Sequence, residues 1–260
     1  MSAERFRYIE LDRHDGVSTI TINRPEVYNA LHPPACDEIA QCLDAAESDP
    51  EIRAIIIGSV GGKAFSAGFD LRWAEQNPEV YDDPMVASTL VRRARGPKPL
   101  IAAVDGLAMG LGFELALACD LIVASPDARF GLPEPRVGLA AMGGGVVRLS
   151  RLLGLKQALA LTLSCRQISA DEGLRLGFVC EIAQQSVLDC ARRWAATIAE
   201  AGPLAITATL SMAEAAAEMP LQSALDPRSH PSVMALLASE DAQEGRRAFI
   251  ERRPPRWAGK

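Results

Sequence analysis

Two glutamates stand where a carboxylate is poorly solvated. Glu114 sits in the run Gly112-Phe113-Glu114-Leu115-Ala116-Leu117-Ala118, and Glu134 in Phe130-Gly131-Leu132-Pro133-Glu134-Pro135, a loop stiffened by proline on each side. Burying an ionised carboxyl in such surroundings is expensive, and groups so placed can exchange protons near neutral pH. As a pair they suit acid/base chemistry beside a polarised carbonyl. Each also has a plainer reading, as a cap or a surface ion pair, with Arg129 and Arg136 the evident partners for Glu134.

Donors able to polarise a carbonyl are expected at two loop-to-helix junctions. In the first, AIIIG (54–58) runs into Gly61-Gly62-Lys63-Ala64-Phe65-Ser66-Ala67-Gly68-Phe69-Asp70-Leu71. In the second, LIAAV (100–104) runs into Asp105-Gly106-Leu107-Ala108-Met109-Gly110-Leu111-Gly112-Phe113-Glu114. Small residues let backbone approach a ligand closely, and the first N–H groups of the following helices are free. Two such groups converging on one oxygen would form an oxyanion hole, each donor contributing roughly 10²–10³ in rate. The plainer reading of both junctions is a tight turn with packing glycines.

These residues need elements to hold them. Val17 to Asn23 alternates as a strand and stops at Arg24-Pro25. Pro33-Pro34 opens a helix with Ala35, Ile39, Leu43 and Ala46 on one face, closing near Ser48-Asp49-Pro50. AIIIG, LIAAV and LIVA (121–124) are short continuous apolar runs, the mark of strands buried on both faces. With a helix near Gly112 to Cys119, the alternation predicts an α/β core with parallel pairing. From about residue 145 the pattern is mainly helical, with Leu152–Leu163, Ala170–Leu176 and Val187–Glu200 as candidates. Gly143-Gly144-Gly145 reads as a flexible entry to the helix Val146–Leu153. The last 60 residues read as helical, with breaks at Pro203, Pro220, Pro227 and Pro231. No repeat, low-complexity segment or linker separates domains.

Composition narrows the function. The 260 residues carry 27 Lys+Arg against 33 Asp+Glu, a net charge of -6, which argues against a nucleic-acid surface. No window approaches the ~20 apolar residues of a membrane span, and Met1 to Glu10 has no signal-peptide core, so a cytoplasmic location without membrane association is expected. The six cysteines form no C-x-x-C pair and are expected to be buried small hydrophobes. Only three histidines exist, His14, His32 and His230, which disfavours a histidine-rich metal site; His14 and His230 are expected to be solvated. No phosphate-binding glycine loop or dinucleotide fingerprint occurs. Ser66 lies in AFSAGF, with Ala64 where a nucleophile elbow has its first glycine, so a serine hydrolase is disfavoured.

In order, ITINRPEVYNAL (20–31), AFSAGFDL (64–71), KPLIAAVDGLAMGLGFELALACDLIVAS (98–125), ARFGLPEPRVGL (128–139) and ISADEGLRLGFVCEI (168–182) resemble the crotonase, or enoyl-CoA hydratase/isomerase, superfamily. The resemblance runs from about Ile20 to the C-terminus and favours the donor reading of the two junctions. It implies an α/β spiral of ββα turns over residues 1–195 and a C-terminal helical trimerisation region over 196–260. The assembly would be a homotrimer or a dimer of trimers. Phe69 and Leu111 match the backbone oxyanion donors, and Glu114 and Glu134 the two glutamates that hold a water between them. Glu114 would activate that water for attack at C3, and Glu134 would exchange a proton at C2. Ala30 and Leu31, after Asn29, and the loop Ala67, Gly68, Phe69, Asp70 and Leu71 match substrate walls, joined by Gly110, Leu111 and Met142. The substrate would be an acyl-CoA thioester, with coenzyme A part of the substrate and no metal or redox cofactor.

Some positions depart from the family's pattern. Members often carry a smaller residue at Phe69 and glycine at Leu111, and a common Pro-Gly pair appears here as Ala141-Met142. The Met142 N–H stands where a group helping to hold the water is found. An enoyl-CoA hydratase is the leading expectation, because both glutamates are present. The alternatives are double-bond isomerisation, carnitinyl-CoA-type dehydration, C–C cleavage, or a non-catalytic scaffold. Dehalogenation would need an Asp/His pair, and no histidine is expected near the relevant loops. Residues 246–260 hold six bases and one acid on an otherwise acidic chain. The resemblance points some of Arg246, Arg247, Arg252, Arg253 and Arg256 at the phosphates of CoA.

Overall fold

A computed structural model of the chain describes residues 6–83, 89–92 and 96–260. Residues 1–5, within the segment expected to lack a leader core, lie outside the described residues. The chain opens with an antiparallel hairpin, β1 (Ile9–His14) and β2 (Val17–Ile22), turned at Asp15-Gly16, both at positive φ. Helix α1 (Pro33–Ser48) starts on its two prolines and leads to β3 (Ala54–Ser59). The first glycine-rich junction then holds a three-residue strand, β4 (Ala64–Ser66), before α2 (Leu71–Gln76) and α3 (Thr89–Arg92). The second repeats the plan: β5 (Leu100–Val104), β6 (Leu107–Met109), α4 (Leu111–Ala118), and then β7 (Leu121–Ala124) and β8 (Arg129–Gly131).

Helices α5 (Gly145–Leu153) and α6 (Leu155–Ser164) follow. They match the two helices expected over Val146–Leu153 and Leu152–Leu163, except that the second starts at Leu155, because Gly154 takes φ 78° and ψ 154° and breaks the run. Next come β9 (Ile168–Ser169), α7 (Ala170–Leu176), β10 (Glu181–Ile182) and α8 (Val187–Ala199), which passes unbroken through residue 195. The C-terminal region is α9 (Pro203–Ala216), α10 (Leu221–Ala224), α11 (Pro231–Ala238) and α12 (Glu240–Glu251). Pro203 and Pro231 open helices rather than merely interrupt them, since a first helical residue needs no N–H.

The strands form two mixed sheets, β1-β2-β3-β5-β7-β10 and β4-β6-β8-β9. In the larger, β2, β3, β5, β7 and β10 run parallel, as the continuous apolar runs predict. Alternation splits each strand between two cores: Ile55 and Ile57 face α1 and α4, whereas Ala54 and Ile56 face α8. In the smaller sheet β4, β6 and β8 are parallel. The glycine-rich junctions thus lie side by side. Among the described residues, no helix is long and apolar enough to cross a membrane.

Two sequence expectations fail here. His230 is buried at 1% exposure, its Nε2 2.7 Å from the Ala224 carbonyl, because it caps α11 inside the C-terminal region; His14 is exposed as expected. Five cysteines are buried, but Cys180 is exposed beside β10.

Helix α4 packs on β4 because Gly112 has no side chain: a Cβ there would lie 2.5 Å from the Ser66 carbonyl oxygen. Gly112→Ala should cost about 1–3 kcal/mol through overpacking, read as a lower urea midpoint with an unchanged slope.

Candidate active site

The pairing of β4 with β6 brings Phe69 and Leu111 together. Leu31 N–H donates to Gly68 O at 2.7 Å and Asp70 N–H donates to Leu31 O at 2.8 Å, forming an isolated parallel bridge between Leu31 and Phe69. In such a bridge the partner residue's own N–H turns to the other side, so the Phe69 N–H faces away from Leu31. On that side lies the 109–111 backbone: a Cβ on Gly68 would stand 2.7 Å from Met109 O and 3.3 Å from Leu111 N. Gly68, at φ 99°, satisfies both this closeness and its left-handed backbone. Leu111 opens α4, so its N–H has no intrahelical acceptor. Among the described residues, neither of these two N–H groups finds a backbone acceptor.

Glu114 lies in the first turn of α4 and is 3% exposed. Its Oε1 accepts from Gly145 N–H at 2.8 Å, at the start of α5, where the helix dipole favours a negative group. Gly143-Gly144-Gly145 is therefore more than a flexible entry. A Cβ on Gly143 would lie 2.6 Å from Glu114 Oε2, and one on Gly145 3.1 Å from Oε1. The arginine Arg148 holds this loop by donating to Gly143 O at 2.9 Å and to Val91 O at 2.6 Å. Nothing in the sequence tied this glycine run to Glu114; its only trace was three glycines with no phosphate-binding spacing.

Glu134 arrives from β8 at the head of a short 3-10 turn, Glu134–Val137. Its Oε1 comes within 3.0 Å of where a Cβ on Gly110 would be, beside Leu111. Its Oε2 is buried without a hydrogen bond. Among the described ion pairs none joins it to Arg129 or Arg136; Arg129 donates instead to the Ala128 carbonyl. Burial pushes the Glu134 carboxyl up to about 7; a backbone hydrogen bond opposes the rise and the nearby Glu114 charge adds to it.

Glu114, Glu134, Phe69 and Leu111 all border one cavity of about 400 Å³. Of the expected wall residues, Ala67, Gly68, Phe69, Leu71, Gly110, Leu111 and Met142 line it. Ala30, Leu31 and Asp70 are buried behind it, where Asp70 pairs with Arg24. The rest of the wall is mostly apolar, with Val80, Pro133, Val137, Leu139 and Ala140, and Tyr81 and Arg136 among its polar members. Irregular backbone supplies much of it, which periodicity does not reveal. A second cavity, about 540 Å³, lies among α1, α4 and α9, away from Glu134 and the free N–H groups.

One histidine is closer than expected. His32 follows Leu31 and packs between Tyr8 and Trp73, but does not border the cavity. Burial, helped by the Arg24 charge, lowers its imidazole to about 4.

Comparison with known proteins settles the family. The family model described as enoyl-CoA hydratase/isomerase matches residues 12–260. The chain belongs to the enoyl-CoA hydratase/isomerase family. A carnitinyl-CoA dehydratase from Citrobacter koseri is 38% identical, covering 97% of this chain and 98% of its own. An enoyl-CoA hydratase structure from Mycobacterium tuberculosis H37Rv superposes with a TM-score of 0.89 at 35% identity, covering 97% and 99% of the two chains. One from Mycobacterium marinum gives 0.90 at 35% identity with the same coverage. The two mixed sheets and C-terminal helices are thus a crotonase fold, and the chain is a crotonase-family acyl-CoA enzyme.

Within this crotonase, the raised Glu134 value has a stability consequence. Glu134 binds its proton more firmly folded than unfolded, so its contribution is complete below about 4.5 and is lost as pH rises through about 7. Glu134→Gln should match wild-type stability in acid and exceed it by about 1–3 kcal/mol above pH ~8, measured by urea unfolding across pH. Gly143→Ala should displace the Glu114 carboxylate and cut acyl-CoA turnover by about 10²-fold, checked by steady-state kinetics beside a thermal melt.

Proposed function

We propose that this crotonase is a hydro-lyase that adds water reversibly across the double bond of a 2-enoyl-CoA, giving a 3-hydroxyacyl-CoA. The observation that carries the reading is that Glu114, Glu134, Phe69 and Leu111 line one cavity, the Phe69 and Leu111 N–H groups having no backbone acceptor among the described residues. The thioester oxygen would accept from those two N–H groups. In hydration Glu114 takes a proton from water, and the water oxygen bonds to C3. The π electrons move onto the thioester oxygen as an enolate, which the two donors stabilise. Glu134 then delivers its proton to C2, completing syn addition. In dehydration each carboxyl plays the opposite part. Met142, on the wall beside Gly143, is the position whose N–H would help hold the water.

A second reading, carnitinyl-CoA dehydration, is favoured by the 38% identity to the Citrobacter koseri enzyme. A quaternary ammonium seeks an aromatic face or an anion. The wall offers Phe69 and Tyr81, but its further charged residue is Arg136 and its carboxylates are the two glutamates. The wall therefore suits an uncharged chain better.

A homotrimer or dimer of trimers belongs to the same proposal. Its support is the exposure of Phe249 and Ile250 on α12, at 84% and 79%. Of the arginines assigned to CoA, Arg253 is engaged by Glu244 and Glu251 within its own chain. Arg246, Arg247, Arg252 and Arg256 are the better candidates.

The deciding experiment is a panel of enoyl-, 3-hydroxyacyl- and carnitinyl-CoAs with products identified by mass. Glu114→Gln and Glu134→Gln should each lower hydration by about 10²–10⁴-fold, and full activity in both would exclude the two-glutamate mechanism. Both directions use the pair of carboxyls carrying one proton between them, and the overall reaction takes up no proton, so kcat/KM for hydration and for dehydration should fall together as pH rises through about 7.

A further inference from the structure

Behind the cavity wall, the segments that carry Phe69 and Leu31 are tied by a buried polar network that does not border the cavity. Arg24 and Asp70 are 8% and 7% exposed, and Arg24 Nη2 lies 3.0 Å from Asp70 Oδ2. The other carboxylate oxygen of Asp70 accepts from Trp73 N–H at 3.1 Å, capping α2. Arg24 Nη1 donates to the Ala30 carbonyl, and the guanidinium lies 5.4 Å from the Tyr8 ring centre. The Arg24 N–H donates to Asn29 Oδ1 at 2.9 Å, while Asn29 Nδ2 donates to Val60 O and Ala64 O at 2.9 and 2.7 Å. One network therefore grips the backbone before Leu31, the approach to β4, and Asp70.

Phe69 sits at the centre of this grip. Its neighbours Gly68 and Asp70 are both bonded to the Leu31 backbone, and the Asp70 side chain is fixed from behind by Arg24. Rotation of the Gly68–Phe69 peptide, which alone sets the direction of the Phe69 N–H, is thereby blocked on both flanks.

We propose that the Arg24–Asp70 pair is a positioning device that aims the Phe69 N–H at the thioester oxygen, so that Arg24 governs turnover without touching substrate. The inference rests on the oxyanion role proposed above for Phe69. A buried pair replaced by apolar residues is often no less stable, so stability alone does not account for a charge pair here. Positional precision does, because a displacement of about 1 Å at a catalytic group costs on the order of 10²-fold in rate.

The test compares wild type with Arg24→Lys and Asp70→Asn in the whole 260-residue chain. Lysine keeps the charge but loses the two-pronged reach to Ala30 and Asp70; asparagine keeps the shape and the α2 cap. The readouts are kcat, Kd for a saturated acyl-CoA, and the infrared carbonyl shift of a bound ¹³C-labelled enoyl-CoA thioester. Both variants should lose roughly 10–10² in kcat and much of the carbonyl shift, while Kd changes less than about threefold, because oxyanion donors act on the charge that develops in the transition state rather than on the bound ground state. Wild-type carbonyl shift and kcat in both variants would overturn the proposal and leave the oxyanion role standing. Absence of any carbonyl shift in wild type would remove the oxyanion reading, and the positioning role with it. Loss of native circular dichroism in both variants would make the pair a folding element and would also overturn it.

Discussion

Everything at this site depends on two backbones lying closer than side chains permit. Gly68 stands against Met109 and Leu111, and Gly112 stands against Ser66, each where a Cβ would meet backbone at 2.5–2.7 Å. The pairing of β4 with β6 fixes the register, and the missing side chains let the segments beyond the strands remain in contact. Leu111 then starts a helix, so its N–H is left over by the geometry of helices. The Phe69 N–H is left over by the geometry of a parallel bridge. Two orphan donors on neighbouring segments follow from the fold, with no polar side chain needed to make them.

The carboxylates exploit the same economy of side chains, but their settings differ. Glu114 is seated on the N-terminus of α5 and given a donor, which suits the charged form. Glu134 is left with a buried oxygen that has no partner, and its carboxyl rises to about 7. Two groups of one chemical type are thus given different surroundings. The repulsion from Glu114 is the lesser cause of the rise and burial the greater, so it is the apolar wall, with Pro133, Leu111 and Val137, that lifts the Glu134 carboxyl toward neutrality.

Much of the fold was legible because its large sheet follows simple rules. AIIIG, LIAAV and LIVA read as buried parallel strands and are so, α1 begins and ends where proline signals place it, and α7 spans the expected Ala170–Leu176. The smaller sheet escaped notice. Its strands are two or three residues long, too short for a period of two to register, and they lie inside stretches whose glycines signal loop. Glu114 and Glu134 stood out because a charge among apolar residues is conspicuous. Arg24 and His32 did not, and Asp70 did so only as a member of a wall loop, because tertiary packing alone buries all three. His230 was misplaced for the same reason.

The C-terminal basic segment shows how a local charge excess divides once it folds. Arg253 closes on Glu244 and Glu251, and the Asp241 carboxylate accepts from the N–H groups of Ala258 and Gly259, so the tail is pinned back onto α12. Trp257 adds a hydrogen bond to Glu200 O at the end of α8, with Gly202 and Gly245 leaving room for its ring. Deleting the tail would therefore disturb α12 and α8 together with any phosphate contact. Charge reversal at Arg246, Arg247, Arg252 or Arg256 leaves that scaffold intact. A polyanion attracted to those four would then lose affinity in proportion to charge removed, and salt would weaken it in parallel.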